Sequence, residues 1–151
     1  LALQAYQKRA FYIIDWLSNL ANKNNKVIPV RLVKGAYWDS EIKYAQVSGF
    51  DDYSVFTRKP LTDLSWMACA IKLIKYQKNI FPAFATHNAY SIAFIEEIAK
   101  GCKFEFQRIH GMADILHNYF NKNSNLEKTK CRIYAPVGDY EDLLPYLMRR
   151  L

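Results

Sequence analysis

The feature that most constrains this chain is an alternation. Short apolar runs rich in β-branched and aromatic residues trade places with longer stretches whose apolar residues recur every three or four positions. Val27-Ile28-Pro29-Val30-Arg31-Leu32-Val33, Phe81-Pro82-Ala83-Phe84-Ala85, Lys103-Phe104-Glu105-Phe106-Gln107-Arg108-Ile109 and Cys131-Arg132-Ile133-Tyr134-Ala135 read as four strands. Residues 1–25, 39–47, 62–78, 89–100, 112–120 and 140–151 read as helices. The first carries a stripe of Leu3, Tyr6, Ala10, Ile13, Ile14, Leu17 and Ala21, and the third a stripe of Leu64, Met67, Ala68, Ile71 and Ile74. Residues 121–130 are polar and read as a surface loop.

Strands separated by helices pair in parallel, because a parallel neighbour needs a crossover connection. The pattern predicts an α/β fold: one helix followed by four βα units. Four such units make either a small open sheet or half of an eight-stranded (βα)8 TIM-type barrel. The chain starts at Leu1 rather than Met, and both ends run out inside helical patterns, which favours half a barrel. In both architectures chemistry gathers at the C-terminal ends of the strands.

A chain of 151 residues is the size of one domain. Its apolar stretches are interrupted far short of the roughly 20 residues needed to cross a bilayer. No basic-then-apolar signal opens the chain, so the cytoplasm is the expected compartment. The formal charge of +7 comes from cations scattered from Lys8 to Arg150. That spread suits a phosphate-bearing cofactor as well as a nucleic-acid surface. Cys69, Cys102 and Cys131 are odd in number and far apart, which points to reduced thiols; no spacing suggests a metal site.

Each predicted strand end turns polar. Arg31, Lys34, Gly35, Tyr37 and Trp38 follow the first; Thr86, His87 and Asn88 the second; Gln107, Arg108, His110 and Gly111 the third; Tyr134, Pro136 and Gly138 the fourth. Each has a structural reading beside the functional one. Arg31, inside an apolar strand, needs an anion or acceptor, either a structural acid or a ligand. Gly35 is a turn residue or a point of close backbone approach. Thr86-His87-Asn88 either caps the next helix or prepares its N-terminus for a phosphate. Lys59 is a solvated surface cation or an anion contact. Arg149-Arg150 either offsets a helix dipole or forms a fork for a carboxylate. The residues alone describe strand ends prepared for an anionic, aromatic-stacked ligand.

Six ordered blocks carry a resemblance. They are Arg31-Leu32-Val33-Lys34-Gly35-Ala36-Tyr37-Trp38-Asp39, Thr57-Arg58-Lys59-Pro60-Leu61-Thr62-Asp63, Ala85-Thr86-His87-Asn88-Ala89, Phe104-Glu105-Phe106-Gln107-Arg108-Ile109-His110-Gly111-Met112, Arg132-Ile133-Tyr134-Ala135-Pro136-Val137-Gly138 and Asp142-Leu143-Leu144-Pro145-Tyr146-Leu147-Met148-Arg149-Arg150-Leu151. Together they resemble the flavin-binding proline dehydrogenase domain of bacterial proline utilization A. Trp38 and the Lys59–Asp63 stretch are more similar to the large bifunctional members than to short single-function enzymes.

The resemblance implies a (βα)8 barrel in which residues 1–151 hold strands five to eight. It implies FAD-dependent oxidation of L-proline to Δ1-pyrroline-5-carboxylate, with hydride passing to flavin N5 and electrons to quinone, the first step of proline catabolism to glutamate. Peripheral association with the inner membrane accompanies that activity in the full-length family. Carried over residue by residue, Arg31 stands near flavin N5, and Val33, Lys34, Gly35, Trp38, Thr57, Lys59, Thr86, His87, Asn88 and Gln107 hold the cofactor. Tyr37, Ile109 and Tyr134 wall the substrate ring, and Arg149 and Arg150 grip the proline carboxylate. Arg31, Tyr37 and Tyr134 are the expected catalytic group.

The family also places a substrate-site lysine and aspartate, and a flavin-contacting glutamine, on earlier strands, none of which the pattern finds here. The glutamate that follows the arginine pair would lie beyond Leu151, and Ile109 stands where leucine is usual. The expectation is a fragment, inactive alone, whose partner is the missing N-terminal half-barrel. The alternatives are an inactive remnant persisting as a non-catalytic binding module and, less favoured, a basic nucleic-acid module.

Overall fold

A computed structural model describes residues 1–123 and 130–148. Five parallel strands form one sheet in sequential order: β1 (Ala2–Gln4), β2 (Ile28–Val33), β3 (Ile80–Ala85), β4 (Glu105–Ile109) and β5 (Lys130–Tyr134). Six helices lie between and after them: α1 (Ala10–Lys23), α2 (Trp38–Val47), α3 (Lys59–Lys75), α4 (Ala89–Ile98), α5 (Asp114–Asn123) and α6 (Tyr140–Met148). The alternation and the parallel pairing match the sequence reading.

The N-terminal segment does not. Residues 1–25 were expected to form one helix; instead Ala2–Gln4 pairs with Arg31–Val33, and the helix starts only at Ala10. The sheet therefore has five strands rather than four. Backbone bonds fix the extra strand: Arg31 N donates to Leu1 O at 2.7 Å, and Ala5 N to Val33 O at 2.8 Å. Three residues are too few to show a period of two, and Leu3 and Tyr6 happen to fall in phase with the following helix. The polar stretch 121–130 also divides: residues 121–123 continue α5, and 124–129 lie outside the described residues.

Alternation along each strand separates two faces. Leu3, Val30, Leu32, Ile80, Phe84, Phe104 and Phe106 pack under the helices, where Trp66, Phe84, Phe104, Phe106 and Phe120 form a chain of edge-on rings 5.1–6.1 Å apart between successive neighbours. Helix α3 starts at Lys59, with Pro60 in its first turn, where a missing N–H costs nothing. It buries Thr62, Trp66, Cys69, Ala70 and Leu73; of the predicted stripe, Met67 and Ile74 pack partly buried against this core, and Leu64 and Ile71 are exposed. The helix carries two apolar stripes, and the one holding Trp66 wins because its ring fills the space against Phe84.

The opposite face carries Gln4, Arg31, Val33, Ala83, Ala85, Glu105, Gln107, Ile109, Arg132 and Tyr134, by register across the five strands. This is the side that fills the interior of a closed barrel.

Candidate functional site

All five strands run the same way, so their C-terminal ends share one side of the sheet. There an open cleft of about 910 Å³ is lined by Gln4, Arg31, Val33, Lys34, Gly35, Tyr37, Thr86, His87, Asn88, Ile109, Tyr134 and Tyr146, with alanines between them. Ten of the residues picked from sequence meet here: Arg31, Val33, Lys34, Gly35, Tyr37, Thr86, His87, Asn88, Ile109 and Tyr134.

Arg31 is the centre of the floor. Its Nε donates to Gln107 Oε1 at 2.8 Å and its Nη2 to the Tyr134 hydroxyl at 2.7 Å. The guanidinium carbon also lies 5.0 Å from the centroid of the Tyr134 ring. Gln107 does not itself line the cleft but holds Arg31 from below. The structural acid expected as one partner for Arg31 is reached only through Gln107. Gln107 Nε2 donates to Glu105 Oε1 at 2.6 Å, and Arg132 clamps both oxygens of Glu105 at 2.9 Å. The Arg132 guanidinium, first among the causes, holds the Glu105 carboxyl below the usual range.

The Thr86–Asn88 turn does structural work with each side chain. Asn88 Oδ1 caps α4 by accepting from Ser91 N at 2.9 Å, and Thr86 Oγ1 accepts from Asn88 N at 3.1 Å. His87 Nε2 accepts from the Ile109 backbone N at 3.0 Å, tying the ends of β3 and β4 together. Behind the turn, buried His117 of α5 bonds Thr86 O through Nε2 at 3.0 Å. A carbonyl only accepts, so His117 Nε2 carries the proton and Nδ1 faces the Cys131 thiol at 3.6 Å.

Gly35 adopts φ +129°, and a Cβ there would sit 2.4 Å from Tyr6 Cδ2. Its lack of a side chain is required by a buried aromatic ring beneath it. The Tyr6 hydroxyl donates to Glu41 at 3.3 Å, and burial, with the Glu41 charge, pushes its pKa up to about 12.

The other predicted cofactor residues stand outside the cleft wall. Trp38 is exposed and donates Nε1–H to Phe56 O at 2.8 Å, which sets it beside the Phe56–Thr57 segment. Thr57 is exposed. Lys59 reaches the rim indirectly: Asp63 bonds Lys34 and Lys59 at 2.6 Å each, and the two ammonium groups, Lys34 first, hold its carboxyl low. Arg149 and Arg150 lie outside the described residues.

Sequence reading missed Gln4 and Tyr146. Gln4 was absorbed into the presumed first helix; it sits in β1 opposite Val33 and lines the cleft. A glutamine on a strand preceding β2 is thus present, contrary to expectation. Tyr146 of α6 lay in a quoted block but was given no role.

The proline dehydrogenase family pattern matches residues 1–151. The chain belongs to the proline dehydrogenase family. It is 48% identical over 156 residues to bifunctional protein PutA of Escherichia coli K12, covering 99% of this chain and 12% of that protein. A solved mutant of Bradyrhizobium japonicum proline utilization A (PutA) superposes with a TM-score of 0.91 at 53% identity, over 99% of this chain and 15% of that one. Bdellovibrio bacteriovorus PutA, solved after inactivation by N-propargylglycine, gives a TM-score of 0.90 at 34% identity, over 99% of this chain and 16% of that one. This proline dehydrogenase segment therefore spans about one eighth of the curated PutA proteins it matches, and its five parallel strands belong to a TIM-barrel-type fold. Among the described residues no helix is long and apolar enough to cross a membrane.

Proposed function

We propose that this chain supplies one wall of the flavin and substrate site of a proline dehydrogenase. The reaction is oxidation of L-proline to Δ1-pyrroline-5-carboxylate, with electrons passed on to quinone. The observation that carries the reading is the placement of Arg31. A cation on the inward face of a parallel sheet, oriented by Gln107 and Tyr134, stands at the strand ends where such folds work.

The residues suit FAD. The cleft has the size of a cofactor pocket and combines aromatic walls with a fixed guanidinium. Among the described residues, two of the five guanidinium donors bond Gln107 and Tyr134. Arg31, Val33, Lys34, Gly35, Thr86, His87, Asn88 and Gln4 would line the ring system. Trp38, Thr57 and the Lys34–Asp63–Lys59 rim would serve the adenosine and phosphate end. When bound, FAD supplies the two-electron acceptor that no protein side chain provides.

The chain's own part is positional and electrostatic. Arg31 holds positive charge where negative charge develops and orients the Tyr134 phenol against the substrate ring. Tyr37 and Ile109 form the rest of that wall and exclude water. Arg149 and Arg150 would fix the carboxylate of proline as a guanidinium fork.

The site is completed by further strands beside β1. Among the described residues β1 borders the sheet, and a second cleft of about 570 Å³ opens beside it against Ile13, Trp16, Leu17 and Leu20. Flavin binding and proline-dependent dye reduction, measured with and without the preceding half-barrel of a PutA relative, test the reading. Activity in the mixture, lost on treatment with N-propargylglycine, supports it. No flavin binding in either case means the chain keeps family residues without the function.

A further inference from the structure

Glu105 and Arg132 were not among the residues expected at the site, yet they end a continuous chain of hydrogen bonds that reaches Arg31. Glu105 is 7% exposed, and β3 presents only Ala83 between it and Arg31 in register. A guanidinium can only donate, so the Gln107 oxygen must face Arg31. The Gln107 amide nitrogen then needs an acceptor, and the Glu105 carboxylate supplies it at 2.6 Å. Turning the amide over would set donor against donor at Arg31 and acceptor against acceptor at Glu105. The two-pronged contact from Arg132, at 2.9 Å to each oxygen, keeps the carboxylate charged and immobile.

We propose that Glu105 is a positioning residue for the redox site: clamped by Arg132, it fixes the orientation of the Gln107 amide, and Gln107 fixes the Arg31 guanidinium. This rests on the proline dehydrogenase reading and adds to it the device that aims its central cation. The role is separable from a plain ion pair, because the pair's stability and its polarity toward Gln107 are different properties.

Two double variants separate them in the flavin-loaded, barrel-complete protein. Glu105→Arg with Arg132→Glu keeps opposite charges side by side but sets a donor against Gln107, which then turns and repels Arg31. Glu105→Met with Arg132→Met removes both charges at similar side-chain length, an exchange that folds commonly tolerate.

Both are expected to melt close to the parent protein. Both should lose at least tenfold in the preference for reduced over oxidised flavin, a midpoint about 30 mV more negative for a two-electron couple. The rate of flavin reduction by proline should fall with it while KM changes little, and the charge swap should be the worse of the two. A parent-like midpoint and rate in both variants overturns the positioning role while leaving the dehydrogenase reading intact. A parent protein that takes up no flavin overturns both.

Discussion

Arg31 and Gln107 lie on strands that do not touch, β2 and β4, yet Arg31 Nε donates to Gln107 Oε1 at 2.8 Å across the face of β3. The contact exists because β3 presents only methyl groups there. Ala83 is the register partner of both Arg31 and Glu105, and Ala85 is the partner of Gln107. Two small residues on a central strand thus let long polar side chains on its two neighbours meet. Ala83→Leu inserts a branched side chain into that gap. We expect the bond to part, with proline-dependent flavin reduction falling at least tenfold and flavin content less affected. Rapid-mixing reduction assays beside a flavin-to-protein ratio check this; an unchanged rate would show that the bond is dispensable.

Arg31→Lys keeps the charge and loses the fork. A single ammonium on a shorter reach cannot hold Gln107 Oε1 and the Tyr134 hydroxyl in one plane as the guanidinium does. The expected loss is about 10²-fold in the rate of flavin reduction, in the range found for removing one preorganised charge-stabilising donor. Tyr134→Phe should lie between this variant and the parent, since it removes one bond and leaves the ring. Equal rates for parent and Arg31→Lys would reduce Arg31 to a point charge.

The legibility of this fold varied with how much pattern each element could display. Strands β2 and β3 were plain because their apolar runs end in polar or glycine-bearing turns. Strand β1 was hidden, since Ala2-Leu3-Gln4 offers one alternation and no bounding turn residue, and with it went Gln4. In α3 the periodicity was right and the buried stripe only partly so: Met67 and Ile74 pack against the core, but Trp66, set against Phe84, turns Leu64 and Ile71 outward. At the site, residue types at strand ends pointed to the cleft, but contacts between distant strands carry no sequence spacing. Neither Gln107 beneath Arg31 nor Glu105 beneath Gln107 was readable as a partner. Asn88 illustrates the opposite case: its capping role was legible locally and holds, 2.9 Å from Ser91 N.

Gly35→Ala should destabilise the fold by about 2 kcal/mol or more, from backbone strain and a clash together. The φ of +129° disfavours any L side chain, and the added methyl would fall 2.4 Å from the Tyr6 ring. Urea unfolding measures the loss. Repeating the substitution in a Tyr6→Ala background removes the clash and leaves the strain. The two changes should therefore couple, with Gly35→Ala costing less in that background. An identical cost in both would assign the whole effect to φ.

His117 gives the fold an acid limit. Burial, first among the causes, holds its pKa below the usual 6.5, with the carbonyl of Thr86 opposing the shift. The folded protein therefore keeps the ring neutral, with Nε2–H on Thr86 O and Nδ1 toward Cys131, where a second proton would displace the thiol contact. In the unfolded chain the same ring gains its proton as pH falls through about 6.5. Below that point the unfolded state binds a proton the folded state refuses, so stability drops with pH until the depressed folded value is reached. One such group contributes at most about 1.4 kcal/mol per pH unit. His117→Gln keeps a donor for Thr86 O and does not titrate. We expect it to be less stable at pH 7.5 but to lose less on going to pH 5.5. Glu105 and Asp63, both held below the usual carboxylate range by their cation partners, titrate under this window and leave the comparison clean. Denaturant midpoints for both proteins at half-unit steps give the two slopes, and parallel slopes would show that His117 takes up its proton alike in the folded and unfolded states, so that burial does not hold it neutral.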